Sequence, residues 1–145
     1  MPGSEPPRLT FRQRHRLTLD REYEAVYAAK VRKVRGPVAV SALPNTLDAP
    51  RLGLSISRRV GLATRRTRAK RVIREAFRIL QHELPRWNDV SGAGCYDFVV
   101  SLREINRLTE LEMPRLFREL AWDAHREWER RRRKAAPVNP PPSGP

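Results

Sequence analysis

The 145-residue chain contains a single cysteine, Cys95, so neither an internal disulfide nor a cysteine-based metal site can form. A reducing cytoplasm is the compartment this implies. No apolar run approaches the roughly 20 residues that cross a bilayer. The N-terminus, MPGSEPPRLTFRQRHR, has no apolar segment behind its charges, so neither a membrane anchor nor a secretory signal is expected. Lysine is scarce: Lys30, Lys33, Lys70 and Lys134 stand against 26 arginines. Acids are also few, 16 against 30 basic residues, which leaves a net charge of +14. Self-repulsion at that charge opposes compaction, and a polyanionic partner, most commonly nucleic acid, removes the penalty. Arginine suits this role because its planar fork grips phosphate and stacks on bases. Hydrophobic residues are 39% of the chain, enough for a modest core and too many for full disorder. The length fits one domain.

The charge is concentrated. Residues 51–80 carry +9, with Glu75 their one acid, while residues 1–36 carry +5 and residues 109–145 only +2. In that last segment Glu110, Glu112, Glu119, Asp123, Glu127 and Glu129 offset the basic residues, as on a solvated helix face. Residues 1–8 and 135–145 are rich in proline and read as disordered tails. The domain is expected over 9–134.

Residues 18–30 predict a helix with Leu19, Tyr23, Val26, Tyr27 and Lys30 along one stripe, capped by Thr18 or Asp20. Val38–Leu43 reads as a short strand. Residues 51–57 alternate strictly, with Leu52, Leu54 and Ile56 on one face, as in a half-buried strand. Residues 66–82 form the clearest helix, with Ala69, Val72, Ile73, Ala76, Phe77 and Leu80 in an inward stripe. Arg66, Lys70, Arg74 and Arg78 lie at i+4 spacing beside it, and Arg71 is placed to pair with Glu75. Residues 86–94 read as a loop, and Cys95–Leu102 as a buried strand. A last helix starts near Thr109, where Thr109 and Glu112 match a capping box, or at Pro114 as first helical residue. The fold class is α+β, helices on a small sheet.

Catalytic signatures are absent. His15, His82 and His125 sit on separate elements without ligand spacing and read as surface residues, so no metal site is expected. Cys95 opens an apolar strand and reads as a buried, inert thiol. No nucleophile elbow or phosphate-binding glycine loop is present. The strongest feature is Ser57–Arg78, SRRVGLATRRTRAKRVIREAFR. Solvated faces mix signs, and this one carries a single acid, Glu75. Phosphate contact is therefore assigned to Arg58, Arg59, Arg65, Arg66, Arg68, Lys70, Arg71 and Arg74, beside the positive end of a helix dipole.

This stretch resembles the protein subunit of bacterial ribonuclease P. The family carries a strand ending in a G-hydrophobic-S-V-S-K-K-like run, then a glycine turn and an R-N-R-x-K-R-x-x-R-E-x-F-R-like helix. Leu52–Arg59, Gly61 and Arg66–Arg78 match these in turn. Arg14-His-Arg-Leu17 with Tyr23 and Tyr27 is similar to the family's first helix, and Tyr96–Val100 to its last strand. Departures are Thr67 in place of asparagine, Ser41 in place of an aromatic, and tyrosine in place of phenylalanine at 23 and 27. The resemblance covers about residues 12–121.

It implies a mixed four-stranded sheet packed with three helices in the order αβββαβα, the ribonuclease P protein-like fold. The implied partners are the ribonuclease P RNA subunit and precursor tRNA. The RNA subunit would be the catalyst that removes the 5′ leader, and magnesium would act through the RNA. The protein would contain no catalytic residue and bind no cofactor of its own, and no obligate protein partner is expected. By the resemblance the basic helix would contact the catalytic RNA, while Arg14, Arg16, Tyr23 and Tyr27 would line a cleft for the leader. Spacing alone gives Tyr23 and Tyr27 to the core. Three further classes compete: a structural RNA-binding protein of ribosomal type; a DNA-binding regulator, which lacks the short helix expected before residue 66; and a stand-alone nuclease, which would cleave without any RNA subunit.

Overall fold

The computed structural model describes residues 11–89 and 92–135. Three α-helices and six strands run in the order α1 (Asp20–Ala28), β1 (Arg32–Arg35), β2 (Val38–Pro44), β3 (Arg51–Ile56), α2 (Ala63–Leu80), β4 (Trp87–Asp89), β5 (Gly92–Gly94), β6 (Tyr96–Leu102) and α3 (Arg107–Ala135). The main sheet has the strand order β1-β2-β6-β3. Its β6 is antiparallel to β2 and parallel to β3, so β3, α2 and β6 form a β-α-β unit. The order αβββαβα therefore holds, with a β4–β5 hairpin added between α2 and β6. The segments read as tails lie outside the described residues, apart from Ala135, which closes α3.

Strand alternation divides the side chains between the two sheet faces. Val38, Val40, Ala42, Leu52, Tyr96, Phe98, Val100 and Leu102 turn to the side covered by α2 and α3. There they pack with Ile73, Phe77, Met113, Phe117 and Leu120 in one core. On the other face Leu17, Val26 and Val99 form a smaller cluster beneath α1, joined by Tyr23 and Leu43. Register aligns Val34, Ala39, Ser101 and Ser55 in a row across all four strands of this face. Ser55 and Ser101 remain half-exposed and Val34 is exposed. Ala39, between Val34 and Ser101, is buried, so the row opens to solvent on either side of it.

Several boundaries differ from the sequence reading. The fold order implies a strand before β2, but no residues are assigned to it in the sequence: three of the four residues of β1 are basic, so it shows no apolar alternation, and it forms a sheet edge, where charge discourages further pairing. Residues 86–94 contain the β4–β5 hairpin, anchored by Trp87, which is buried against Tyr96 and Trp128. At Gly94 a Cβ would lie 2.1 Å from the Asn45 carbonyl oxygen, so glycine there serves close packing.

The helix ends also differ. Neither Thr18 nor Asp20 caps α1; the Glu22 carboxylate accepts from the N–H groups of Thr18 (3.1 Å) and Leu19 (2.9 Å) instead. Lys30 has φ 58° and stands beyond the helix rather than in its stripe. At Gly61 φ is 115°, a conformation that favours glycine, and α2 begins two residues later. α3 starts at Arg107, near the expected Thr109, but Asn106 caps it, accepting from Thr109 N–H at 2.8 Å, and Pro114 lies inside the helix.

Candidate nucleic-acid interface

The outer edge of β3 has no strand partner, and three groups from elsewhere occupy its backbone polar atoms. Leu17 N–H donates to the Leu52 carbonyl at 3.0 Å. Leu54 N–H donates to the Tyr23 hydroxyl at 3.0 Å. The Arg66 guanidinium donates to the Ile56 carbonyl at 3.3 Å. The first segment, α1 and α2 are thereby drawn to one line. Tyr23 reaches it because residue 53 is glycine: a Cβ there would stand 2.7 Å from the phenol ring.

Beside this edge lies a hollow of about 160 Å³, lined by Phe11, Arg16, Tyr23, Leu54, Lys70 and Arg74 among others. The Arg16 guanidinium sits 4.9 Å from the centre of the Phe11 ring, a cation–π contact. Residues that the resemblance gives to two different RNAs, Arg16 and Tyr23 on one side and Lys70 and Arg74 on the other, therefore line a single hollow. Tyr27 lies about one turn further along α1, 44% exposed, outside that hollow. Arg14 also lies outside it and lines a separate one with Arg12, His15 and Arg86. Ser41 is buried opposite Val99.

On α2 the basic residues differ in what they touch. The Arg66 side chain lies against β3, with its Nε buried and unpartnered. Arg65 donates to the Ile105 carbonyl at 3.3 Å. Arg68 forks onto Glu110 of α3 at 2.6 and 2.9 Å; these bonds raise the Arg68 pKa and lower that of Glu110. Glu75 pairs with Arg78, not with Arg71 as expected. Both spacings are open on a helix, and here the i,i+3 partner holds both carboxylate oxygens. Arg58, Arg59, Lys70, Arg71 and Arg74 form no ion pair among the described residues. On α3, by contrast, Arg115, Arg126, Arg130 and Arg131 each face a carboxylate.

Two residues at the interface had no clear sequence signal. Phe11 is an isolated aromatic in a polar segment. Arg103 lines a hollow with Arg59 at the β1–β2 turn, and only the sheet topology brings the two together. His15 and His125 are corrections. His15 is 2% exposed, stacked on Phe11 and tilted against Phe77. The His125 side chain is 12% exposed and bonds the Tyr96 hydroxyl at 2.8 Å. Each lies beside aromatics distant in sequence, which single-residue reading does not reveal. Cys95 is buried, and burial pushes its thiol pKa up, which keeps it protonated and unreactive. Among the described residues no three His, Cys, Asp or Glu side chains group as a metal site, and no helix is long and apolar enough to cross a membrane.

Comparison with known proteins gives a consistent result. The family model described as Ribonuclease P matches residues 11–126. The ribonuclease P protein component of Azotobacter vinelandii is 38% identical over 112 residues, 76% of this chain and 80% of that protein. The ribonuclease P protein of Thermotoga maritima superposes with a TM-score of 0.53 at 27% identity, covering 74% of this chain and 92% of that one. The Staphylococcus aureus ribonuclease P protein shares the fold, with a TM-score of 0.59 at 22% identity over 74% and 97% of the two chains. The match spans the β3 edge, the basic helix and the segment that bears Arg16 and Tyr23, and the chain belongs to the ribonuclease P protein family, as the protein component of that ribonuclease.

Proposed function

We propose that this protein binds the catalytic RNA of ribonuclease P through the outward arginines of α2 and holds the 5′ leader of precursor tRNA between α1 and the open sheet face. The observation that carries the reading is the hollow at the β3 edge, where Arg16, Tyr23, Lys70 and Arg74 converge with no carboxylate among its lining residues. A positive groove with aromatic faces binds single strands largely without sequence preference, which suits leaders that differ between tRNAs. The row of Val34, Ala39, Ser101 and Ser55 supplies a floor that opens to solvent at Val34, Ser101 and Ser55. Arg59 and Arg103 stand beyond its end.

On this reading the RNA subunit performs the cleavage and magnesium works through the RNA. The protein brings two polyanions together by neutralising phosphates of both, and its contribution falls with added salt. Arg58, Arg59, Arg65, Arg66, Arg68 and Arg71 serve the catalytic RNA, and Lys70 and Arg74, which line the β3-edge hollow, serve both RNAs. Arg16, Tyr23 and Tyr27 serve the leader, with Arg14 in the adjoining hollow.

The test is reconstitution with a ribonuclease P RNA at low magnesium, with precursor-tRNA cleavage as the readout. Added protein is expected to restore cleavage that the RNA alone does not support. Equal cleavage with and without protein would sink the proposal.

A further inference from the structure

We propose that the hollow formed by Arg12, Arg14, His15 and Arg86 is a phosphate-binding site, distinct from the β3-edge hollow and sharing no lining residue with it. It lies where the first segment, the β2–β3 loop and the chain after α2 meet, and it encloses about 390 Å³. Three guanidinium groups line it against one carboxylate, that of Asp48. The side chains of Arg12, Arg14 and Arg86 make no ion pair and no hydrogen bond among the described residues, in contrast to the paired arginines of α3. Arginines left unpaired around a concave surface are poised for an anion that accepts several charge-assisted bonds at once.

His15 supplies the independent observation. Its Nδ1 accepts the Arg12 N–H at 2.9 Å, which places the proton of the neutral ring on Nε2. That Nε2–H has no protein partner among the described residues, although the residue is 2% exposed and lines the hollow. Burial, with Arg14 and Arg12 nearby, holds the His15 pKa below the ordinary imidazole value. The ring therefore offers a fixed, neutral donor beside three cations. A phosphate oxygen uses both kinds of donor. The phosphate belongs either to a phosphodiester of the bound RNA or to a free phosphate-bearing molecule.

The experiment uses the full chain and the double variant Arg12→Gln/Arg86→Gln, which keeps the main-chain bond from Arg12 to His15. Arg130→Gln is the control, since Arg130 is held by Glu127. In the first arm, inorganic phosphate is titrated at constant ionic strength while the His15 imidazole resonances are followed. Saturable shifts are expected in the parent and the control and not in the double variant. In the second arm, affinities for ribonuclease P RNA and for precursor tRNA are measured against salt. The slope of log affinity on log salt is expected to fall by about one for one of the two RNAs.

A fallen slope, with or without phosphate saturation, assigns an RNA phosphodiester to the site. Saturation with both slopes unchanged assigns a free phosphate-bearing ligand. No saturation and unchanged slopes overturn the proposal. Arg86→Gln alone replaces the double variant if circular dichroism shows the latter unfolded. The RNA arm rests on the function proposed above and the phosphate arm does not. A failed reconstitution would therefore leave the phosphate result standing.

Discussion

At the scale of single residues, Tyr23 links the fold to the proposed leader cleft. Its ring lies against Gly53 and its hydroxyl takes the Leu54 N–H. The core-packing reading and the binding reading are opposed in the sequence; in the structure the ring packs on Gly53 and also lines the β3-edge hollow. The two parts separate by substitution. Tyr23→Phe keeps the ring and strands the Leu54 N–H, so stability should fall by about 1 kcal/mol, seen as a lower urea midpoint. The difference in affinity between precursor and mature tRNA should not change. Tyr23→Ala should shrink that difference. If both variants shrink it equally, the hydroxyl and not the ring face reads the leader. Gly53→Ala tests the same contact from below: its Cβ meets the ring at 2.7 Å, and overpacking of this kind costs about 1–3 kcal/mol. The variant should lose urea resistance and leader discrimination together; an unchanged leader term would place the stacking face elsewhere.

At the scale of elements, α2 was the most legible part of the chain, because its apolar stripe and basic flank obey the same 3.6-residue period. Periodicity did not tell which arginines are occupied. Arg68 is held by Glu110 from a helix that starts 39 residues after it, and Arg78 is held by Glu75. Arg71 has no such partner among the described residues and is exposed. Arg71→Ala should therefore weaken binding to the ribonuclease P RNA and lower the salt slope by about one, whereas Arg78→Ala should leave the slope nearly unchanged. Equal slopes for the two variants would mean that the RNA reads the charge of α2 only in bulk.

The elements that escaped sequence reading share a cause. Neither β1 nor the β4–β5 hairpin shows apolar alternation: β1 is held by its pairing with β2, and the hairpin by the single anchor Trp87, which packs on Tyr96 and Trp128. The split between Arg14 and Arg16, two residues apart, was illegible for a similar reason. It depends on the Gln13–His15 turn and on which packed segments each side chain meets. The type of partner was legible in the charge, while the division of labour among the cations required the fold.

At the scale of the molecule, charge is segregated. Cations on α2 and the first segment are largely unpaired, while α3 pairs Arg115, Arg126, Arg130 and Arg131 with its own carboxylates and lends others to Arg35 and Arg68. The family match ends at Arg126, and beyond it α3 acts as a structural clasp. Trp128 donates its indole N–H to the Ala42 carbonyl of β2 at 2.9 Å. Arg131 donates to the Ala29 carbonyl at 2.6 Å, just past α1. Arg132 bonds the Asn88 carbonyl and stacks 4.5 Å over Trp87. These last two turns tie the sheet, α1 and the β4–β5 hairpin into one body. Trp128→Ala removes a large, partly buried ring and an indole donor, and should lower stability by about 2–4 kcal/mol, read as a fall in urea midpoint with the m-value unchanged. Because no unpaired cation is removed, the salt slope of RNA binding should stay at the parent value once the folded fraction is accounted for. A midpoint unchanged by the substitution would show that the clasp is dispensable. A reduced salt slope in the folded variant would show that the end of α3 is itself part of the RNA-binding surface, and that the balanced helix is not the inert side of the molecule.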